Sequence, residues 1–226
     1  MQITEIFRSI QGESSYTGLP CLFVRLTACN LRCSWCDSEY TFSGGKKMSL
    51  AEVEAELERL GPVKLVEITG GEPLLQEEEV LGLARRLAAR NHTVLLETSG
   101  ERLLAAVPKE VIKIVDVKCP HSGAADTFRV ENLAALLPHD EVKFVLSDRL
   151  DYEFARDFIR RHGLAERVHS VIFSPAFRKD AAGARDARHC MLDPRELAEW
   201  ILADALPVRL GLQVHKFIWD PAKKGV

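Results

Sequence analysis

Three cysteines within eight residues offer the most specific chemistry in this chain: Ala28-Cys29-Asn-Leu-Arg-Cys33-Ser-Trp-Cys36-Asp-Ser38. Thiolates this close in sequence can converge on one metal centre. Structural zinc is normally closed by four ligands, and no fourth Cys or His follows at the usual short spacing. A [4Fe-4S] cluster held by three cysteines instead leaves one iron open to bind something else, which points to chemistry rather than to a staple. Zinc completed by Cys21 or a distant histidine, and three buried cysteines without metal, are the rival readings. A second motif, Gly70-Gly-Glu-Pro73, follows some thirty residues later. Its glycines let backbone approach a ligand, and its carboxylate and carbonyls can accept from an ammonium. By itself it is also an ordinary strand-to-helix turn.

The elements that must position these motifs follow from periodicity. Ser49-Leu-Ala-Glu52 is a capping box, and Leu50, Val53, Leu57 and Leu60 recur at helical spacing until Gly61-Pro62 stops the helix. A β-like run over 64–69 ends in the glycine turn, and residues 76–91 return to helix with Val80, Leu83, Ala84, Leu87 and Ala88 on one face. This βα pattern recurs. Runs rich in Val, Ile and Leu lie at 21–27, 64–69, 93–98, 112–117, 142–146, 168–173 and 207–213, with helical stretches clearest at 151–162 and 194–204. Several runs are apolar at consecutive positions, as in parallel strands covered on both faces. An eight-fold barrel needs about 250 residues. With one long early loop, this chain has room for about six parallel βα units. The expectation is α/β: a partial, open TIM-like barrel, one domain over 1–226, with function at the C-terminal strand ends. A flat doubly wound sheet gives a similar pattern.

Composition bounds the class. The 226 residues are 46% hydrophobic and 28% charged, with 30 basic against 33 acidic side chains and a net charge of -3. That balance argues against a nucleic-acid sponge. No apolar stretch approaches a membrane span of about 18 residues. The opening Met-Gln-Ile-Thr-Glu-Ile lacks a secretory pattern, so a cytoplasmic setting is expected, where six cysteines serve metals, catalysis or burial rather than disulfides.

The cysteine triplet, with aromatic Trp35 before its third member, resembles the signature of the radical S-adenosylmethionine superfamily. The resemblance implies a [4Fe-4S] cluster whose open iron chelates S-adenosylmethionine, and an electron from the cluster that cleaves it to a 5′-deoxyadenosyl radical. Further matches run in order along nearly the whole chain: Glu5-Ile-Phe-Arg-Ser-Ile-Gln-Gly-Glu13, Thr17-Gly-Leu-Pro20, Cys36-Asp-Ser38, Glu97-Thr-Ser-Gly100, Asp116-Val-Lys-Cys-Pro120 and Leu212-Gln-Val-His-Lys216. Together they resemble the 7-carboxy-7-deazaguanine synthase family. That family contracts the ring of 6-carboxy-5,6,7,8-tetrahydropterin to 7-carboxy-7-deazaguanine with loss of ammonia, on the route to queuosine-type deazapurines. Mg²⁺ assists, S-adenosylmethionine is used catalytically, an external flavodoxin-type or ferredoxin-type reductant supplies electrons, and the family suggests a homodimer. No direct nucleic-acid or membrane contact is implied.

Residue by residue, the resemblance places Cys29, Cys33 and Cys36 on the cluster and Ser38 on Mg²⁺, where threonine is usual. Trp35, Gly71, Glu72, Gly100 and Ser174-Pro175-Ala176-Phe177 fall on the cofactor side. So do Lys118 and Lys143, with Lys143 slightly favoured for the methionyl carboxylate. On the substrate side fall Ile10, Gln11, Gly12, Glu13, Arg25, Thr98, His215 with Lys216, and Pro221 or later residues. Arg25 suits a carboxylate because its guanidinium binds one bidentately. His215 is expected on a strand, and 178–188 reads as a polar insertion. Two rivals remain: a glycyl-radical activase, which shares the triplet and turn but needs no pterin-reading set, and a zinc-stabilised binding module.

Overall fold

The computed structural model describes residues 1–179, 187–221 and 223–226. Its frame is one sheet of nine strands in the order β3-β1-β2-β4-β5-β6-β7-β8-β9. The strands are β1 (Gln2–Ile10), β2 (Pro20–Leu26), β3 (Lys46–Lys47), β4 (Leu65–Gly70), β5 (Thr93–Thr98), β6 (Ile112–Asp116), β7 (Glu141–Leu146), β8 (Ser170–Pro175) and β9 (Arg209–Leu210). From β2 through β9 every neighbouring pair is parallel; β1 joins β2 and β3 antiparallel. The order runs from β3 to β9 without returning on itself, so the barrel is open.

The helices form where the apolar spacing predicts them: α1 (Leu50–Leu60), α2 (Glu77–Ala89), α3 (Arg149–His162) and α4 (Pro194–Ala203). In α1, Ser49 Oγ accepts from the Glu52 N–H while the Glu52 carboxylate accepts from the Ser49 N–H, a closed capping box. Asp148 caps α3 by accepting from the Asp151 N–H, and Asp193 caps α4 by accepting from the Arg195 N–H, each without the reciprocal bond.

Three expectations change. Residues 2–10, which carry a motif but no apolar run, form a nine-residue strand. The connections β5–β6 and β6–β7 carry no α-helix, so the βα alternation lapses there. The run 207–213 shrinks to Arg209–Leu210, and beyond it Gln213 takes a left-handed φ of 46°, which ends any extended continuation there. His215 consequently opens a short helix, α5 (His215–Ile218), instead of lying on a strand. Of the expected insertion 178–188, residues 180–186 lie outside the described residues.

Alternation along each strand divides the protein into two interiors. Leu22, Val24 and Leu26 of β2, Val66 and Ile68 of β4, Val94 and Leu96 of β5, and Val142, Phe144 and Leu146 of β7 join the helices in the main core. The opposite faces line a lumen. Its floor is apolar, built from Phe7, Cys21, Phe23, Leu65, Leu95 and Ile114, with Tyr16 packed against them. Phe7 and Phe23 stack at 4.9 Å. One step toward the C-terminal strand ends, the same faces carry Arg25, Glu67, Glu97, Asp116 and Lys143, and these open into a cavity of about 460 Å³.

Candidate active site

The cavity lies at the C-terminal mouth of the parallel strands and takes in all three clustered cysteines. They sit on the loop leaving β2, each partly buried. Burial pushes the Cys29, Cys33 and Cys36 thiols above their usual range, with Lys118 acting in the opposite sense on Cys33. Loading a metal must therefore displace protons. Cys21 and Cys119 are fully buried in separate apolar clusters, Cys190 packs beside Phe177, and no disulfide joins any pair. None of these three lines the cavity, so a fourth zinc thiol is not at hand. Among the described residues, the group of three or more ligand atoms close enough for a single ion is His121, Asp148 and Asp151, not the cysteine triplet. The donor set suits a group larger than one ion: three soft thiols facing a shared cavity.

Gly71 shows why the glycine turn belongs beside the triplet. A Cβ there would lie 2.1 Å from the Ala28 carbonyl oxygen and 2.7 Å from Cys29 Cβ. The bare backbone lets the turn press against the cysteine loop, and the Glu72 N–H donates to Ala28 O at 2.9 Å. Glu72 itself is fully engaged. Its carboxylate accepts from Leu74 N, Thr98 Oγ1, Ser99 N and Ser99 Oγ, and it does not line the cavity. It ties the ends of β4 and β5 together and has no oxygen left for an ammonium, which leaves backbone carbonyls for that task.

Other candidates divide similarly. Trp35, Ile10, Gly12, Glu13, Arg25, Ser38, Thr98, Lys118, Lys143, Phe177, His215 and Pro221 all line the cavity. Gly100 does not: its φ is +70°, and its carbonyl accepts from Arg129 N and Asn132 Nδ2, so it serves a turn. Ser174, Pro175 and Ala176 are buried outside the lining. Lys118 lies near Cys33 and pairs with Asp116 at 2.8 Å. Lys143 is surrounded by carboxylates: Glu13 at 2.8 Å, Glu97, and Asp116 at 3.8 Å. Of the two, Lys118 is the one beside the cysteines.

Arg25 sits on β2, between β1 and β4, with its Nε donating to Glu5 at 2.8 Å. Tyr40 OH donates to the same Glu5 oxygen, so a residue of the cysteine loop shares the arginine's anchor. Ser38 Oγ donates to Asp37, whose other oxygen meets Lys216 Nζ at 2.6 Å. For Asp37, burial would raise the carboxyl; Lys216 outweighs it and holds the group well below the carboxylate range. Glu13 behaves likewise. Burial raises it, but Lys143, His215 and Lys216 together bring it down to about 2.

The loop after β1 meets the loop after β9 directly. Val214 N donates to Gly12 O at 2.9 Å, and Gln213 Nε2 donates to Glu13 at 3.1 Å. A Cβ on Gly12 would fall 2.4 Å from His215 Nδ1, which accounts for the glycine. Gln11 is buried: its amide donates to Glu67 and its carbonyl accepts from Glu13 N and Ser14 N. Glu5, Asp37, Tyr40, Glu67, Glu97, Asp116 and Gln213 are the lining or anchoring residues that sequence reasoning left without a role. For Glu67, Glu97 and Asp116 the one signal is an acid inside an otherwise apolar strand; Glu5, Asp37, Tyr40 and Gln213 carry none.

Comparison with known proteins agrees with this geometry. Residues 24–121 match the profile of the Radical SAM superfamily. The chain is 70% identical, over the full length of both proteins, to a 7-carboxy-7-deazaguanine synthase of Koribacter versatilis (strain Ellin345). It is 40% identical to the protein of that name from Chlorobaculum tepidum, covering 100% of this chain and 97% of that one. In fold it resembles the crystal structure of QueE from Escherichia coli, with a TM-score of 0.72, 22% identity and coverage of 93% and 92%. With the cysteine loop, the glycine turn and the open barrel in the places described, the chain belongs to the 7-carboxy-7-deazaguanine synthase family of the radical S-adenosylmethionine superfamily.

Proposed function

We infer that this chain is a 7-carboxy-7-deazaguanine synthase, a radical S-adenosylmethionine lyase that turns 6-carboxy-5,6,7,8-tetrahydropterin into 7-carboxy-7-deazaguanine with release of ammonia. The observation that carries the reading is the shared cavity: three thiols on one wall, and a charged tier able to bind a small polar heterocycle on another. A [4Fe-4S] cluster, S-adenosylmethionine and Mg²⁺ supply the radical chemistry when bound.

The protein's own part is placement. In this reading Cys29, Cys33 and Cys36 hold the cluster, the backbone around Gly71 and the Lys118 ammonium receive the methionyl end, and Ser38 offers a hydroxyl oxygen to magnesium. Arg25, already fixed by Glu5, keeps its terminal nitrogens for the pterin carboxylate. Glu13, the Gly12 backbone, Thr98 and His215 face the ring, and Pro221 closes the mouth. His215, whose basicity burial lowers, meets Glu13 at 3.7 Å and can pass a proton to or from a nitrogen.

A flavodoxin-type or ferredoxin-type reductant, a cytoplasmic setting and a homodimer complete the proposal; light scattering of the purified protein tests the last. No described helix is long and apolar enough to cross a membrane. A glycyl-radical activase is disfavoured by the full-length identity. A zinc module is disfavoured by the positions of Cys21, Cys119 and Cys190. Anaerobically reconstituted protein given 6-carboxytetrahydropterin, S-adenosylmethionine and dithionite is expected to release ammonia and a deazapurine. Iron-loaded protein that forms neither product refutes the reading.

A further inference from the structure

Three acids of the lumen wall, Glu67, Glu97 and Asp116, have no place in the scheme above, and the first of them meets no cation of its own. Glu67 stands mid-strand on β4, 3% exposed, with its side chain on the cavity wall. The groups that face it are Gln11 and Glu13 from the loop after β1, the Cys21 thiol from β2, Glu97 from β5 and Lys143 from β7. The cations nearby are committed elsewhere. Lys143 serves Glu13, Glu97 and Asp116, and Lys118 serves Asp116. Glu67 is met by a neutral donor, the Gln11 amide, at 2.9 Å. Gln11 then spends its carbonyl on the peptide N–H groups of Glu13 and Ser14, at 2.8 and 2.9 Å. A chain of bonds thus runs from the middle of β4 to the loop that presents Glu13 to Lys143 and Gly12 to His215.

We propose that Glu67 is a positioning residue for the pterin: by fixing Gln11 it sets residues 11–14 in the conformation that receives substrate. This rests on the synthase reading and adds to it a residue that acts through another. Glu67 does so as a neutral acid. Burial, then the Glu97 carboxylate, push it up to about 8; the Gln11 amide bond opposes the rise, Glu13 adds to it and Lys143 opposes it. Above that pH it ionises against Glu97 and Glu13; the Gln11 amide bond strengthens with the charge, but the Glu13 carboxylate carried by the same loop is repelled, and the loop is displaced. The kcat/KM for pterin therefore falls through about pH 8 in the wild type.

Reconstituted holoenzyme carrying Glu67→Leu is expected to show pterin KM raised about tenfold or more, with the Kd for S-adenosylmethionine and the iron content unchanged. Glu67→Gln, whose carbonyl still accepts from Gln11, is expected to recover most of that KM and to lose the fall above pH 8. The double variant Glu67→Leu/Gln11→Ala is expected to be no worse than either single one, because both break the same chain of bonds. Pterin binding by equilibrium dialysis supplies a readout free of turnover. An unchanged pterin KM and Kd in Glu67→Leu, or a wild-type pH profile in Glu67→Gln, overturns the proposal. Should Glu67→Leu fail to fold, the Glu67→Gln profile decides. Wild-type holoenzyme that does not consume the pterin refutes the synthase reading instead, so the two failures are distinct.

Discussion

The floor and the upper tier of the lumen are built on the same strands, two residues apart, and they obey different physics. Leu95 and Glu97 neighbour one another on the lumen face of β5; one packs against Phe23, Ile114 and their neighbours, the other pairs with Lys143. The floor gains from removing apolar area from water, at roughly 25 cal/mol per Å². It needs no particular partner, only a filled volume. The upper tier holds Glu13, Glu97, Asp116, Lys118 and Lys143 in a cavity, where each charge costs desolvation and is retained only with a partner. The floor therefore holds the barrel together, while the upper tier stores polar groups at fixed positions at some expense in stability. This division suits an enzyme whose substrate is polar and whose intermediate must be kept from water.

That contrast can be broken most completely at the cavity wall. Cys33→Ala is expected to abolish turnover and reduce bound iron and sulfide, while circular dichroism stays that of a folded barrel because the floor is untouched. Lys143→Met is the next largest. It leaves Glu13 and Glu97 facing each other without their shared cation, a loss on the order of 3–5 kcal/mol in urea unfolding, accompanied by weaker pterin binding. Leu95→Ala, on the floor, is expected to lose about 2–5 kcal/mol of stability but to leave the pterin KM and its pH profile as they were. A floor variant that shifted the pH profile would show that the tiers are not separable.

The smallest effect is in acid. Glu13 is held near 2 against an ordinary value of 4.5. A depressed carboxyl contributes stability above its unfolded pKa and loses it as pH falls through the folded one. Stability should fall between about pH 4.5 and 2, by up to roughly 3 kcal/mol from this group. Urea midpoints at pH 5 and pH 3 in wild type and Glu13→Gln measure it, with the variant falling less.

Much of this was legible in the chain. The strands of the floor announced themselves as consecutive apolar runs, because their lower halves are covered on both faces. The capped helix at 50–60 needed only Ser49, Glu52 and the leucine spacing. The cysteine loop and glycine turn were visible as motifs, since their spacing reflects a contact of the two loops at Ala28 and Gly71. What could not be seen was pairing across strands. Nothing near Glu67 in sequence indicates that Gln11 will meet it, or that Lys143 will take Glu13 and Glu97 from two other elements. Gln213 illustrates the limit from the other side. Leu212-Gln-Val reads as a continuing strand, and only the left-handed turn at Gln213 sends His215 into a helix beside Gly12.

The meeting of residues 12–13 with 213–215 has a consequence for how the protein opens. From β1 round to β8, neighbouring strands of the barrel are joined by ladders of three to seven residue pairs, while the edge strands are held by two each, β3 on β1 and β9 on β8. Across the gap beyond, the Val214 N–H to Gly12 carbonyl bond and the Gln213–Glu13 contact stand in for a ladder. An amide bond backed by so few neighbours opens by local fluctuation well below the free energy of global unfolding. In native-state hydrogen exchange the Val214 amide should exchange ahead of those in β4 and β5. The open edge of the sheet beside the cavity is thus the seam with the least backbone pairing to hold it.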